Sequence, residues 1–248
     1  MSDIANKVET LMEAMPYLQK YQGKIIVIKY GGNAMINEEL KDAVMHDVVL
    51  LKLLGMKPVL SHGGGPGINK MLEKLDIPVE FIEGLRYTSA DIMRVVEMVL
   101  VGQVNTELVG FINKLGGKAV GLSGVSGDIY HCHQRDEVHG YVGDIDYVDP
   151  KPIFAMLDAG YIPVIAPVGT DGQGHTFNIN GDTAAGKLAS ALGAEKLVIL
   201  TDIEGLCNDI KIRDVISYLN IEDVKALKDK GTIAGGMIPK VDCCVEAI

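Results

Sequence analysis

Residues 24–32 read KIIVIKYGG, and residues 57–67 read KPVLSHGGGPG. Each stretch begins with apolar and β-branched residues, which is typical of a buried strand, and ends in consecutive glycines. Three later runs have the same apolar character, at residues 119–122, 162–166 and 196–200. Segments with helical spacing of apolar residues alternate with most of them, at residues 39–54, 91–100 and 183–192. This alternation predicts an α/β fold with a mainly parallel central sheet.

Residues 128–150 break the alternation of strands and helices. Their two halves, DIYHCH and GYVGDIDYV, have the period of two that is typical of strands, and the polar stretch QRDEV lies between them. We therefore predict a β-hairpin inserted at the edge of the sheet. The glycine-rich stretch GTDGQG at residues 169–174 predicts a boundary between two lobes. The expected units are an N-terminal amphipathic helix at 1–22, a first lobe at 23–172 and a second lobe at 173–248.

Composition disfavours several classes of protein. The 248 residues are 48% hydrophobic, which is enough for one large core or for two lobes that share an interface. A formal net charge of -10 repels polyanions, and the 23 basic residues form no stripe, so nucleic-acid binding is disfavoured. The four cysteines form neither a CxxC pair nor a regular framework, which favours a reducing cytoplasm. We expect neither secretion nor a membrane span, because no run reaches about 18 apolar residues.

The glycines that end the first two strands are candidates for binding phosphate. Gly31 and Gly32 follow Lys29, so backbone N–H groups and a positive charge can approach the same anion, although an ordinary turn would also explain this loop. Glycines 63–65 precede Pro66 at the expected start of a helix, and here we favour phosphate binding over a simple turn. Neither loop has the GxGxxG or Walker A pattern, which argues against a dinucleotide-binding domain and a P-loop NTPase.

Later motifs contain polar residues whose roles stay open from spacing alone. In FNINGDTAAGKLASALG, Asn178 and Asn180 point the same way if the segment is extended, and Asp182 lies at the mouth of a helix. Asp182 could cap that helix or could orient lysines, and the two roles rank equally. The stretch LVILTDIEGL ends a buried strand, and GGMIPK brings Lys240, which by spacing alone is an ordinary solvated lysine.

Three histidines lie near these motifs. His131 and His133 would share one face of a strand, but two ligands without a further cluster rarely hold a metal, so a structural role is favoured. His62 precedes the triple glycine and is predicted to be a hydrogen-bonding partner rather than a proton shuttle.

Six motifs occur in one order along nearly the whole chain: IKYGGN, SHGGGPGINKML, GLRYTSAD, NINGDTAAGKLA, VILTDIEGL and GGMIPKVD. Together they resemble the amino acid kinase family. The resemblance implies an open three-layer α/β/α sandwich whose hairpin is a lid. It implies that the first lobe holds an acyl-amino acid, with N-acetyl-L-glutamate as the expected acceptor. The second lobe, shorter here than is usual in the family, would hold ATP with Mg²⁺ carried by the nucleotide, and the product would be an acyl phosphate.

The resemblance also implies roles for particular residues. Lys29 and Lys240 would flank the phosphoryl group during transfer, and Asp182 would hold both ammonium groups. The amides of Gly32 and Gly64 would donate to the phosphoryl oxygens. The expected acceptor site comprises Gly64, Gly65, Arg86, Asn178 and Asn180. The expected ATP site comprises Gly31, Thr201, Asp202, Gly205, Leu206, Thr232, Ile233, Ala234 and Gly236.

The segment before the first strand predicts a helix that lies outside the core. Its apolar residues at helical spacing are Val8, Leu11, Met12, Met15 and Leu18. Such a stripe is often an oligomer contact, and the resemblance implies a homo-oligomer, either a dimer or a hexamer inhibited by arginine. Two other functions stay open: an enzyme of the same fold that acts on aspartate, glutamate or a phosphate acceptor, and a non-catalytic sensor of amino acids or nucleotides.

Overall fold

The computed structural model describes residues 2–201, 205–209 and 214–248. The helices are α1 (Ser2–Tyr21), α2 (Glu38–Leu53), α3 (Gly65–Lys74), α4 (Ala90–Glu97), α5 (Thr106–Lys114), α6 (Lys151–Asp158), α7 (Gly181–Ala191), α8 (Ile221–Asp229) and α9 (Met237–Glu246). The strands are β1 (Ile25–Tyr30), β2 (Lys57–His62), β3 (Phe81–Ile82), β4 (Leu85–Arg86), β5 (Ala119–Ser123), β6 (Tyr130–Gln134), β7 (Gly143–Val148), β8 (Ile162–Ala166), β9 (Val168–Thr170), β10 (Thr176–Asn178), β11 (Lys196–Ile199), β12 (Cys207–Asp209) and β13 (Asp214–Val215). A π-helical segment, Met98–Asn105, joins α4 to α5.

The central sheet has five strands in the order β11-β1-β2-β8-β5, and every neighbouring pair is parallel. These are the five apolar runs predicted from the sequence, at residues 24–29, 57–61, 119–122, 162–166 and 196–200, with ends that differ by at most one residue. In the interior of the sheet, Lys29 pairs with Ser61 of β2 and with Ile199 of β11. Because parallel strands end at one edge, the two glycine loops lie side by side, and the Gly63 N–H donates to Tyr30 O at 2.8 Å.

Alternate residues of β1 point into two separate cores. Ile26 and Ile28 belong to a core formed with helices α2 to α5, whereas Val27 belongs to a core formed with α6 and α7. Successive side chains of a strand face opposite sides of its sheet, so both faces of the sheet are covered by helices. The predicted α/β/α sandwich is therefore confirmed.

A second sheet of four strands, in the order β10-β9-β6-β7, is separate from the central one. Its strands β6 and β7 form the predicted hairpin, in which Tyr130 pairs with Val148. The prediction that this hairpin lies at the edge of the central sheet is wrong, because β6 pairs with β9 instead. Pro167 lies between β8 and β9 and has no N–H for the parallel ladder, so the chain leaves the central sheet there.

Helices α4 and α5 and the π-helical segment between them form one continuous run, Ala90–Lys114. With a mean hydropathy of 1.5 in its most apolar window, this run is long and apolar enough to cross a membrane. The sequence predicts a helix over residues 91–100 only and no run of this length. The inward face of the run is part of the protein core, to which it contributes Ile92, Val96, Leu100, Leu108 and Ile112.

The predicted N-terminal helix is α1, and most of its apolar stripe is exposed. Val8, Leu11, Met12 and Met15 are between 44% and 65% exposed. Leu18, near the end of the helix, packs against the core. The helix is thus attached to the core through its C-terminal end, and the stripe ahead of that end faces outward.

Candidate active site

A cavity of about 250 Å³ opens where the loops after β1 and β2 meet the start of α7. Nine residues predicted from the sequence line it: Lys29, Gly31, Gly32, Gly64, Gly65, Arg86, Asn178, Asn180 and Asp182. Residues without a predicted role line it too, among them Phe81, Leu100, Pro167 and Gly181. The fold therefore brings the predicted acceptor residues to one place, together with most of the predicted catalytic ones.

Asp182 joins two lysines from opposite ends of the chain. Its Oδ1 lies 2.8 Å from Lys29 Nζ, and its Oδ2 accepts a hydrogen bond from Lys240 Nζ at 3.1 Å. Burial alone would raise the pKa of Asp182, but the charges of Lys29 and Lys240 hold that pKa below its ordinary value. One carboxylate between two ammonium groups leaves one net positive charge beside the cavity.

Asn180 caps helix α7, so the carboxylate of Asp182 is not needed for that purpose. The Oδ1 of Asn180 accepts hydrogen bonds from the N–H groups of Asp182, at 2.9 Å, and Thr183, at 3.1 Å. From the sequence alone, Asp182 could cap the helix or orient the lysines, and the two roles rank equally. The structure assigns the capping to Asn180 and places the Asp182 carboxylate between the lysines.

The second glycine loop forms a wall of the cavity. A Cβ at Gly64 would lie 2.4 Å from Leu100 Cδ2, so a larger residue there would have to displace the Leu100 side chain. Helix α3 begins at Gly65, and Pro66 lies in its first turn, so the positive end of the helix dipole meets the cavity. Within the described chain, no acceptor pairs with the N–H of Gly64. That N–H group is available to an anion.

Arg86 of β4 is a second buried cation of the cavity. Its Nη2 donates to Asn69 Oδ1 at 2.6 Å, and its guanidinium carbon lies 4.9 Å from the centroid of the Phe81 ring. Its Nη1 has no hydrogen-bond acceptor among the described residues. Burial lowers the pKa of Arg86, but a guanidinium keeps its charge at neutral pH. An unpaired N–H group on a buried guanidinium favours a carboxylate ligand.

Asn178 is connected to Arg86 by a short chain of hydrogen bonds. Its Nδ2 donates to Thr88 Oγ1 at 3.1 Å, and Thr88 Oγ1 donates to the carbonyl oxygen of Arg86 at 2.8 Å. The N–H of Asn178 donates to Tyr141 O at 2.8 Å. Two predicted acceptor residues that are distant in sequence are thus held in one network.

Most of the predicted nucleotide residues lie apart from this cavity. Gly31 lines it, whereas none of the others that the structure describes does so. Leu200 N–H donates to Lys29 O at 3.0 Å, which continues the pairing of β11 with β1. Thr201 therefore lies at the same edge of the sheet as Lys29.

The remaining predicted nucleotide residues belong to the C-terminal part of the chain. Residues 232–236 lead into α9, which carries Lys240. Gly205 and Leu206 directly precede β12. Asp202 lies outside the described residues. The ATP site stays a prediction.

Fold and site together define a class: an α/β/α protein in which an ammonium group, a guanidinium and a free amide line one cavity. A second ammonium group, that of Lys240, does not line the cavity but pairs with its carboxylate, Asp182. Such a set of donors suits ligands that carry phosphate and carboxylate groups, because those groups accept charge-assisted hydrogen bonds.

Known proteins resemble this chain over most of its length. The amino acid kinase family model matches residues 24–248. The acetylglutamate kinase of Heliobacterium modesticaldum is 51% identical, with 98% of this chain and 86% of that protein covered. That of Thermoanaerobacter pseudethanolicus is 49% identical, with 98% and 82% covered. The solved structure of smu.665 from Streptococcus mutans UA159 has a TM-score of 0.80, with 31% identity and 90% of each chain covered. The chain belongs to the amino acid kinase family, as its motifs predicted.

Proposed function

We propose that this protein transfers the γ-phosphoryl group of ATP to the side-chain carboxylate of N-acetyl-L-glutamate, giving an acyl phosphate in arginine biosynthesis. The observation that carries the proposal is the ion-paired cluster of Lys29, Asp182 and Lys240, of which Lys29 and Asp182 line the same cavity as Arg86. The name acetylglutamate kinase, borne by relatives that are 51% and 49% identical, supports this acceptor.

The two lysines would act on the phosphoryl group during its transfer. In the transition state, negative charge spreads over the oxygens of the transferred group, and fixed positive charges and amides stabilise that charge. Lys29 and Lys240 meet at Asp182 from two different elements, which supports the proposal that both ammonium groups flank the phosphoryl group during transfer. The N–H groups of Gly32 and Gly64 would complete this set of donors.

The acceptor would bind through the carboxylate that does not react. Arg86 suits it, because Nη1 is unpaired while Asn69 holds Nη2 in place. Gly65, Asn178 and Asn180 would hold the rest of the molecule. The reacting carboxylate is ionised at neutral pH and needs no general base. The task of the enzyme is to bring two anions together, and the positive cluster offsets their repulsion.

ATP would bind to the second lobe, residues 173–248, while the first lobe, residues 23–172, holds the acceptor. Mg²⁺ would arrive with the ATP phosphates, because Asp182, the one carboxylate among the described cavity residues, is already paired with two lysines. When bound, Mg²⁺ would neutralise part of the phosphate charge. The nucleotide would contact the residues named above, Thr201, Asp202, Gly205, Leu206 and 232–236.

A cytoplasmic homo-oligomer is the form that we propose for the enzyme. The exposed apolar stripe of α1 supports an oligomer contact, since a stripe of this kind is commonly covered by a partner. Arginine is proposed as an effector through the family resemblance. Measuring the mass and activity of the protein during an arginine titration tests both proposals.

Hydroxylamine trapping of the acyl phosphate tests the proposed function. Wild-type protein should form hydroxamate from ATP and N-acetyl-L-glutamate, and far less from L-glutamate or L-aspartate. Lys29→Met should abolish most of this activity. Lys24→Met is the matched control, because the Lys24 side chain is 52% exposed and pairs with Glu195 away from the cavity. A wild-type protein that forms no hydroxamate, or that prefers one of the other acceptors, would contradict the proposal.

A further inference from the structure

His62 ends β2 immediately before the glycines of the second loop, and its side chain is fully buried. Its Nδ1 lies 2.8 Å from the carbonyl oxygen of Gly63. Its Nε2 lies 3.0 Å from Nδ2 of Asn105. The mechanism described above gives this histidine no role.

The partners of Asn105 decide which ring nitrogen of His62 carries the proton. Asn105 Nδ2 also lies 2.9 Å from Val164 O and 3.3 Å from Leu122 O. Carbonyl oxygens only accept hydrogen bonds, so the atom that faces both of them must be the amide nitrogen, and it must donate. His62 Nε2 is then the acceptor, and the proton lies on Nδ1, which donates to Gly63 O.

Gly121 keeps Asn105 in this position. A Cβ at residue 121 would lie 2.0 Å from Asn105 Oδ1, so any side chain there would displace the amide. Asn105 is buried and is the last residue of the π-helical segment. The two hydrogens of its amide nitrogen suit the two nearer acceptors, Val164 O and His62 Nε2, so Asn105 connects β8 to His62. Leu122 O of β5 lies next nearest, at 3.3 Å.

We propose that His62 is a positioning residue that holds the carbonyl of Gly63 and thereby directs the N–H of Gly64 toward the transferred phosphoryl group. The two groups belong to one planar trans peptide, in which the C=O and the N–H point in opposite directions. Both residues lack a side chain, so little else in the loop resists rotation of this peptide. With the carbonyl held toward the buried ring, the N–H points the other way, toward the cavity that Gly64 lines.

The inference rests on the proposed function, because that function supplies the phosphoryl oxygen that the Gly64 amide would bind. A proton-transfer role for His62 does not fit the structure. Both ring nitrogens have partners, and the ring does not line the cavity. Burial also lowers the pKa of His62 to about 4, so the ring is neutral at pH 7.

The variants His62→Asn and His62→Gln form a matched test. The amide nitrogen of asparagine can replace Nδ1 and donate to Gly63 O, whereas the longer glutamine side chain places its amide where Nε2 was. We expect kcat of His62→Asn to stay within about threefold of wild type. We expect kcat of His62→Gln to fall roughly 10-fold to 100-fold, approaching the loss of one transition-state donor. The KM values for ATP and N-acetyl-L-glutamate should change by less than about threefold in both variants.

Equal losses of kcat in the two variants, or an unchanged kcat in His62→Gln, would overturn the inference. If a variant does not fold, which its thermal unfolding curve would show, the wild-type protein still decides the question. Long-range ¹H–¹⁵N NMR spectra should show a neutral His62 ring protonated on Nδ1, and a proton on Nε2 would overturn the inference. Hydroxamate formation by the wild type is a separate readout, so its absence would refute the proposed function and leave the His62 geometry standing.

Discussion

The two lysines that meet at Asp182 are held in different ways. Lys29 belongs to β1, is paired with strands on both sides, and has a side chain that is 9% exposed. Lys240 belongs to α9, and its side chain is 23% exposed. Lys29 is therefore part of the core of the fold as well as part of the site. The position of the Lys240 side chain depends on how α9 packs against α7.

The packing of α9 against α7 is close because residue 186 of α7 is a glycine. A Cβ there would lie 2.7 Å from the carbonyl oxygen of Cys243 and 3.1 Å from its Cα. Asp182 lies in the first turn of the same helix, and Lys240 lies one turn before Cys243 on α9. The distance between the two helices therefore decides whether Lys240 reaches Asp182. We therefore expect the loss of either lysine to lower kcat, but the loss of Lys29 to lower the stability of the fold more than the loss of Lys240.

Lys29→Met should have the largest effect of the changes considered. The variant loses a transition-state charge, so kcat should fall by about 10³-fold, with a much smaller change in KM for the acceptor. It also leaves a buried carboxylate with one partner fewer, which should lower the free energy of unfolding by about 3 kcal/mol. Hydroxamate kinetics and urea unfolding measure the two quantities. An unchanged kcat would remove Lys29 from the mechanism.

Lys240→Met should lower kcat strongly but change the free energy of unfolding only a little. We expect kcat to fall by at least about 10²-fold, because the same transition-state charge is lost. The free energy of unfolding should fall by less than about 1 kcal/mol, since the ion pair is more exposed than that of Lys29. If the two lysine variants lose the same stability, the proposed difference between a core lysine and a helix-borne lysine is wrong.

Gly186→Ala should weaken the contact between Lys240 and Asp182 while leaving both of these residues in place. The added methyl group must push α9 away from α7, and we expect kcat to fall about 10-fold. Ser190→Ala is the matched control, because Ser190 is an exposed residue of the same helix. In a protein that already carries Lys240→Met, the glycine change should add little, since coupled residues do not have additive effects. If the fold-losses of kcat in the two single variants multiply in the double variant, Gly186 does not act through Lys240.

Acid unfolding should show the smallest effect. In the folded state the pKa of Asp182 is below its ordinary value. Its ion pairs therefore stabilise the fold above about pH 4, and that stabilisation is lost as the pH falls through the folded pKa. Lys29→Met should remove more of this pH dependence than Lys240→Met, because the Lys29 charge lowers the pKa more. Urea unfolding at a series of acidic pH values measures it, and the opposite order would contradict the comparison.

The central sheet could be predicted from the sequence because its strands are short apolar runs bounded by glycine, proline or charge. The sheet to which the hairpin belongs could not be predicted from the sequence. The hairpin pairs with β9, a strand of three residues that is too short to show a periodicity. The run 90–114 was predicted too short, since the helical spacing is interrupted where its middle becomes π-helical.

The site was predictable to the extent that its residues lie in glycine motifs. Those motifs mark where backbone must approach an anion, and their order along the chain indicated the family and its lysines. Asn69, Asn105 and Gly121 had no predicted role, because each matters through contacts with segments that are distant in the sequence. A contact of that kind leaves no local signal in the sequence. The choice between the two roles of Asp182 was likewise decided by contacts of this kind, since Asn180 caps the helix and Lys29 pairs with Asp182.

We propose that Lys29 and Lys240 stabilise the phosphoryl group during transfer rather than in its bound ground state. The most direct measurement is the affinity of each lysine variant for MgADP, aluminium fluoride and N-acetyl-L-glutamate together, compared with its affinity for a non-hydrolysable ATP analogue. We expect that affinity for the transition-state mimic falls by about the same factor as kcat, while affinity for the ATP analogue changes little. Equal losses for both ligands, or an unchanged affinity for the mimic, would contradict it.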